Sequence, residues 1–309
     1  MTPSLRDWLF LFGLGAIWGG AFMGTKIATA EVPPLTIAAA RLGLGAATML
    51  ALLALRGEGL PGPAAPHARS FWLHALGVGI ASNALPFSLL AWAQGHIPSG
   101  IAGVFMAMVP LFILPLAHVF VPGERLSWRK AAGFFLGFAG ILVLIGPGVL
   151  AGLGAGGGLA LLAQLACLAV ALNYAAGSII SKRAPDLGLI RFAAAALLIA
   201  AALTVPLALV VERPDPAAWS VGSHAALVYL GLLPTALATL MLLSVIASAG
   251  PGFLGLVNYQ VPVWAVAFGI VFLGEEPSPR LWLALLLILA GLAVAQNLVG
   301  LRRGGHARG

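Results

Sequence analysis

The chain is built from long stretches with almost no charge, and those stretches limit what it can fold into. Ten apolar runs follow one another: Asp7–Ala28, Leu35–Leu55, Phe71–Ala93, Ser99–Val121, Arg129–Gly146, Leu159–Ile180, Leu187–Val211, Val221–Ala247, Gly252–Leu273 and Arg280–Val299. A run of about 20 such residues spans a hydrocarbon core of about 30 Å. Backbone polar groups find no water there, so each run must satisfy its own hydrogen bonds as a helix. Charged residues make up 8% and hydrophobic residues 61% of the 309 positions. A soluble domain carries roughly 25% charged residues. The expected fold is therefore an all-α integral membrane protein with ten transmembrane helices.

The formal charge of +7 could point to nucleic acid, but its placement argues against that reading. With Arg41 set aside and ten spans threaded, one side collects twelve basic residues: Arg6, Arg56, Arg69, Arg125, Arg129, Lys130, Lys182, Arg183, Arg191, Arg302, Arg303 and Arg308. The other side collects three: Lys26, Arg213 and Arg280. Basic residues favour the cytoplasmic side, so both termini are expected there, in a multi-pass protein of the cytoplasmic (inner) membrane. The partners this implies are a lipid bilayer and a small molecule, with no nucleic acid. The first run ends near a small-residue "ATA" (Ala28–Ala30), but its apolar part exceeds the 7–15 residues of a signal-peptide core. It is expected to be a retained helix. Cys167, the single cysteine, reads as a small apolar filler.

The chain also resembles itself. At a shift of 152, Gly79 meets Gly231, Gly100 meets Gly252, Gly103 meets Gly255 and Pro110 meets Pro262. After a one-residue slip, Gly123 meets Gly274, Glu124 meets Glu275, Ser127 meets Ser278, Arg129 meets Arg280 and Gly140 meets Gly291. Five spans per half is an odd number, so the halves enter the membrane in opposite orientations. That is the inverted repeat of many secondary transporters. The expected organisation is a first repeat over 1–150, a glycine-rich linker at 151–158, a second repeat over 159–300 and a basic cytoplasmic tail at 301–309.

Arg41 is the only charged residue between Leu35 and Leu55. A guanidinium in lipid costs several kcal/mol, with a wide spread of values. Arg191 holds the corresponding place in the second half, and inversion puts the two near opposite faces. A residue used at both faces is expected to anchor its helix, by snorkelling or by bonding nearby carbonyls. Lining of a vestibule is the other reading.

Four segments resemble a known family. "WGGAF" (Trp18–Phe22), "PPLTIAAAR" (Pro33–Arg41) and "MVPLFILPLAHVFVPGERLSWRKAAGFFLGFAGILVL" (Met108–Leu144) resemble the first repeat of EamA-type transporters, in the drug/metabolite transporter superfamily. "YQVPVWAVAFGIVFLGEEPSPRLWLALLLILAGLAV" (Tyr259–Val294) resembles the closing part of their second repeat. The most specific element is the spacing from proline to Gly-Glu. The chain departs from the pattern in one extra residue before "GER", in "GEEPS", and in Asn173 and Tyr174 standing where Trp18 would map. The resemblance implies ten helices and outward movement of amino acids or other small metabolites, and the general likeness is to the YddG type of amino-acid exporter.

Where a solute would bind can be read from the polar and aromatic residues inside the runs. The acidic residues all fall at run ends or in loops, which argues against a proton-coupled cation exporter. The neutral candidates for lining a cavity are Trp18, Phe22, Asn83, Phe87, Asn173, Tyr174, Asn258, Tyr259, Gln260 and Trp264, with Trp92, Gln94 and Gln164 also at depth. Trp18 with Phe22, and Asn83 with Phe87, are four apart and share helix faces. Amide–aromatic pairs suit a site that bonds a polar head and packs an apolar tail, although buried amides also bond helix to helix. Pro110 and Pro262 are candidate hinges, since each removes a backbone hydrogen bond. The GxxxG patterns Gly15–Gly19, Gly20–Gly24 and Gly133–Gly137 are expected to bring helices together within a monomer. A proton relay through His74, His96, His118 or His224 is a lesser expectation than placement at helix ends.

The leading expectation is thus a transporter of neutral or aromatic amino acids, or similar metabolites, working by alternating access without an intramembrane carboxylate. The alternative is export of other metabolites or drug-like compounds, proton-coupled. A membrane-embedded enzyme would need a nucleophile with its base, or metal ligands, at one depth. The runs offer neither pattern, and no metal or cofactor is expected.

Overall fold

The computed structural model describes residues 3–151 and 158–296. Residues 152–157 of the expected linker and the expected tail lie outside the described residues. The described chain is helical from end to end. It comprises α1 (Leu5–Ala28), α2 (Pro34–Leu55), α3 (Ala68–Gly79), α4 (Leu85–Gln94), α5 (Ser99–Met106), α6 (Val109–Phe120), α7 (Trp128–Ala151), α8 (Gly158–Lys182), α9 (Leu189–Val211), α10 (Val221–Gly231), α11 (Ala238–Leu254), α12 (Val257–Leu273) and α13 (Pro279–Ala295). Two spans are composite: α3 runs into α4, and α10 into α11, through a π-helical turn. A third, α5 with α6, breaks at Ala107–Met108 just before Pro110. Among the described residues nine helical spans are long and apolar enough to cross a membrane, and α13 is a tenth, shorter one.

Span boundaries follow local chemistry. Ser4 caps α1 in a reciprocal pair with Asp7, and Ser278 caps α13. Pro34 and Pro279 occupy first turns, where the missing N–H has no partner to lose. Gly250 takes φ 83°, which only glycine adopts without strain, and it separates the eighth span from the ninth.

Packing obeys the inverted symmetry. The pair α2–α9 and the pair α7–α13 each map onto themselves when the halves are exchanged. The α1–α12 contact maps onto α8 with α5 and α6, α4–α8 onto α1 with α10 and α11, and α3–α9 onto α2–α10. Leu42, Ala46, Met49 and Leu53 of α2 bury against Ala194, Leu197, Ala200 and Ala201 of α9. At α7–α13 the backbones themselves touch. A β-carbon added at Gly133 would stand 2.4 Å from the Gly291 carbonyl, and one at Gly291 would stand 2.5 Å from the Gly133 carbonyl. Gly15 and Gly19 likewise admit Gln260 and Trp264, and Gly20 and Gly24 admit Tyr229. All of the glycine pairs singled out in the sequence are thus contacts inside one chain. Cys167 is fully buried in the largest core cluster.

The molecule has two polar faces. The terminus face carries the starts of α1, α3, α7, α9 and α12. The distal face carries the starts of α2, α5, α8, α10 and α13.

Candidate functional site

The two π-helical turns occupy one repeat position. The first covers Ile80–Ala84 and the second Leu232–Leu237, each following a glycine, Gly79 or Gly231. A π-turn shifts the hydrogen-bond ladder by one residue and leaves carbonyls to be satisfied otherwise, often at functional sites. Asn83 donates its side-chain amide to the Val78 carbonyl at 3.2 Å, and Thr235 donates its hydroxyl to the Leu230 carbonyl at 2.8 Å. Both bonds reach back five residues, and the shift of 152 superposes donors and acceptors alike. Thr235 was not among the sequence candidates. The internal repeat pairs it with Asn83 and could have found it.

Arg41 points into this region. Its guanidinium carbon lies 3.7 Å from the centre of the Phe87 ring, and its Nε donates to the Thr235 hydroxyl oxygen at 2.9 Å. The residue is only 7% exposed. Tyr174 and Tyr229 lie within electrostatic range of it. Arg41 therefore does not snorkel, and it does not bond a helix-end carbonyl as an anchor would. Arg191 behaves differently from its counterpart: it pairs with Glu58 at 3.1 Å on the terminus face. The two arginines are repeat mates with separate uses.

The other candidates divide into those near the π-turns and those away from them. The Trp18 indole donates to the carbonyl of Pro234, inside the second π-turn, at 3.2 Å. Phe22 is buried in the main core, within reach of Gly103. Asn173 turns back to its own helix at the Ala169 carbonyl, 2.8 Å away. Asn258 bonds the Gly255 carbonyl in the first turn of α12, and the Tyr259 hydroxyl bonds Gln296 beyond the end of α13. These two lie toward the terminus face. Trp264 packs on Gly19 and Phe268. The buried Oε1 of Gln260 has no hydrogen-bond partner among the described residues. Pro110 follows the α5–α6 break, whereas Pro262 lies inside an unbroken α12. The mates thus differ in their surroundings.

At the distal face, three carboxylates each hold the first turn of a helix from the opposite half. Glu212 accepts from the amides of Leu35 at 2.9 Å and Thr36 at 2.7 Å, at the start of α2. Glu275 accepts from those of Ser99 at 2.6 Å and Gly100 at 3.0 Å, at the start of α5. Glu31 accepts from the Ser220 amide at 2.7 Å and the Ser223 hydroxyl at 2.6 Å, at the start of α10. Unpaired amides and the helix dipole make each such end attractive to an anion. Lys26 adds a further tie, donating to the carbonyls of Gln94 at 2.6 Å and Ile97 at 3.1 Å.

The corresponding acids on the terminus face make none of these ties. Glu124, mate of Glu275, pairs with Lys130 at 3.5 Å and Lys182 at 3.6 Å. Glu58, in the loop that corresponds to the one carrying Glu212, takes the Arg191 side chain. Asp186, in the loop that corresponds to the one carrying Glu31, accepts from the amide of Gly188 in that same loop. Two recesses between the halves open there. One, of about 540 Å³, is lined by Arg6, Arg56, Glu58, Arg191 and Ser244; the other, of about 260 Å³, by Ile113, Ala117, Glu124, Lys130 and Lys182. Among the described residues, no cluster of His, Cys, Asp and Glu could hold a metal ion.

Known proteins share this design. A solved crystal structure that is 28% identical overlays with a TM-score of 0.65, covering 94% of this chain and 98% of its own. The inner membrane transporter YedA of Escherichia coli K12 is 31% identical over 89% of this chain and 85% of its own length. The aromatic amino acid exporter YddG of Ancylobacter novellus is 32% identical over 92% and 96%. A probable terminal-alkyne amino-acid exporter of Streptantibioticus cattleyicolor is 27% identical over 93% and 92%. The family model for EamA-like transporters matches twice, at residues 7–146 and 160–296, once on each half. The chain belongs to the EamA-like transporter family.

Proposed function

We propose that this transporter exports neutral or aromatic amino acids, or metabolites of similar size, by alternating access through the region between its two halves. The observation that most supports this is the one-sided set of carboxylate ties. Two halves built alike meet across the distal face through carboxylates that hold helix-start amides, and across the terminus face through side-chain pairs, Lys182 with Glu124 and Arg191 with Glu58, beside two recesses. In an inverted repeat the opposite pattern is available at little cost, because each half can take the conformation of the other. With the termini in the cytoplasm, as the basic-residue bias expects, this asymmetry supports reading the conformation as the one that receives solute from inside. The amino-acid cargo is carried over from the names of two relatives. It fits the neutral polar and aromatic residues at the π-turns, where no carboxylate is present to bind a cation.

The test is uptake of labelled phenylalanine, threonine and methionine into proteoliposomes, with no ion or pH gradient imposed. Saturable uptake above empty liposomes, lost in Trp18→Ala and Asn83→Ala, is expected. Absence of uptake with and without a pH gradient would remove amino acids as cargo.

A further inference from the structure

The Arg41 guanidinium has more donors than the protein uses. It carries five N–H groups in a rigid fork. Nε is occupied by Thr235, and one face of the plane rests on Phe87. Among the described residues, no carbonyl, hydroxyl or carboxylate accepts from its two terminal nitrogens, and none of the ion pairs includes it. A charge taken out of water without a counter-ion carries a desolvation penalty, which contact with the Phe87 ring offsets only in part.

The geometry points to Arg41 as the binding site for the carboxylate of a transported solute, the fork taking both oxygens through its two terminal nitrogens. This rests on the transport reading above and gives that site its chemical class. Three features support it. The Thr235 bond and the Phe87 ring fix the guanidinium plane, so little freedom is lost when an anion docks. A fixed fork matches a carboxylate in two parallel bonds, which a lysine cannot do. Tyr174 brings a hydroxyl-bearing ring into the same electrostatic neighbourhood, whereas the Tyr229 hydroxyl is already donated to the Ile17 carbonyl at 3.1 Å. Arg41 also belongs to the first half and Thr235 to the second, so the bond that orients the fork crosses the interface that the distal ties close. Solute binding and closure of that face therefore draw on the same pair of spans.

The experiment measures thermal stabilisation of the detergent-solubilised protein by phenylalanine, phenylacetate, phenylalaninamide and phenethylamine, in wild type, Arg41→Lys and Arg41→Gln. The acids are expected to stabilise wild type and the two compounds without a carboxylate are not. Apparent affinity for the acids should fall at least about tenfold in Arg41→Lys, which keeps the charge and loses the fork, and further in Arg41→Gln. Equal stabilisation by phenylalanine and phenylalaninamide, no stabilisation by either acid, or undiminished stabilisation of Arg41→Gln would each overturn the assignment. The acid–amide comparison in wild type decides the matter even where Arg41→Gln fails to fold. If labelled amino acids do not cross the membrane while phenylacetate still stabilises wild type through Arg41, the cargo reading falls and the carboxylate site stands. If uptake proceeds unchanged in Arg41→Gln, the reverse holds.

Discussion

The Glu275 carboxylate accepts the Ser99 amide at 2.6 Å, so a loop of the second half holds the first turn of a helix in the first. Bonds from backbone amides to a carboxylate are worth about 1.5–3 kcal/mol each where water is excluded, and less at a wet surface. Glu275→Ala should therefore release the start of α5. Hydrogen exchange at the Ser99 and Gly100 amides is expected to speed up in that variant. Glu124→Ala, at the mate position, should leave both amides as protected as in wild type.

Acid should loosen the Glu31 tie. The Ser223 hydroxyl, followed by the Ser220 amide, holds the Glu31 carboxyl below the usual carboxylate range. A group depressed in the folded protein contributes stability above its unfolded pKa and loses it as pH falls through the folded value. The usual glutamate value is about 4.3, so the loss begins below about pH 5. Glu31→Gln should flatten the stability profile in that acidic range and leave it unchanged near neutrality. Thermal unfolding across pH checks this, and an identical acid slope in both proteins would contradict it.

Thr235 ties Arg41 to the second π-turn, accepting from the arginine and donating to the Leu230 carbonyl. Thr235→Val keeps the shape and removes both bonds, leaving two buried groups unsatisfied. The expected loss is about 1–3 kcal/mol, measurable as a lower unfolding temperature. Thr239→Val, one turn further on, removes only a bond to its own helix. It is expected to cost less.

Gly291→Ala should destabilise the α7–α13 contact. The added β-carbon would meet the Gly133 carbonyl at 2.5 Å and the Gly137 amide nitrogen at 2.7 Å, both backbone atoms that cannot step aside. Overpacking of this kind costs about 1–3 kcal/mol, more than the gain of up to about 1 kcal/mol from alanine's helix propensity. Gly252→Ala, with open space around it, is expected to be neutral or slightly stabilising.

Span positions were legible in the sequence because length and hydropathy alone decide them in lipid. Leu35–Leu55 and Gly252–Leu273 match the observed spans to within a residue. The glycine contacts were legible because nothing larger fits between close backbones. Arg41 was misread as an anchor because its mate, Arg191, suggested a shared role. Repeat symmetry describes the two halves, while the folded chain uses the mate side chains unequally. The ties of Glu31, Glu212 and Glu275 escaped notice for a related reason: each joins residues more than 170 positions apart, and hydropathy carries no trace of them. The π-turns were likewise hidden, since they depend on a one-residue shift of the ladder that composition does not mark.

The most direct test of one-sided closure is a distance measurement across each face. Spin labels at His96 and Glu276 span the distal face, and labels at Arg125 and Gly252 span the terminus face, in a Cys167→Ala background. The pairs are compared in the otherwise unaltered protein and in the Glu31→Ala, Glu212→Ala, Glu275→Ala triple variant. The expected result is a short, narrow His96–Glu276 distribution that lengthens and broadens in the triple variant, while the Arg125–Gly252 distance shortens. An unchanged His96–Glu276 distance would show that the three carboxylates do not hold that face shut.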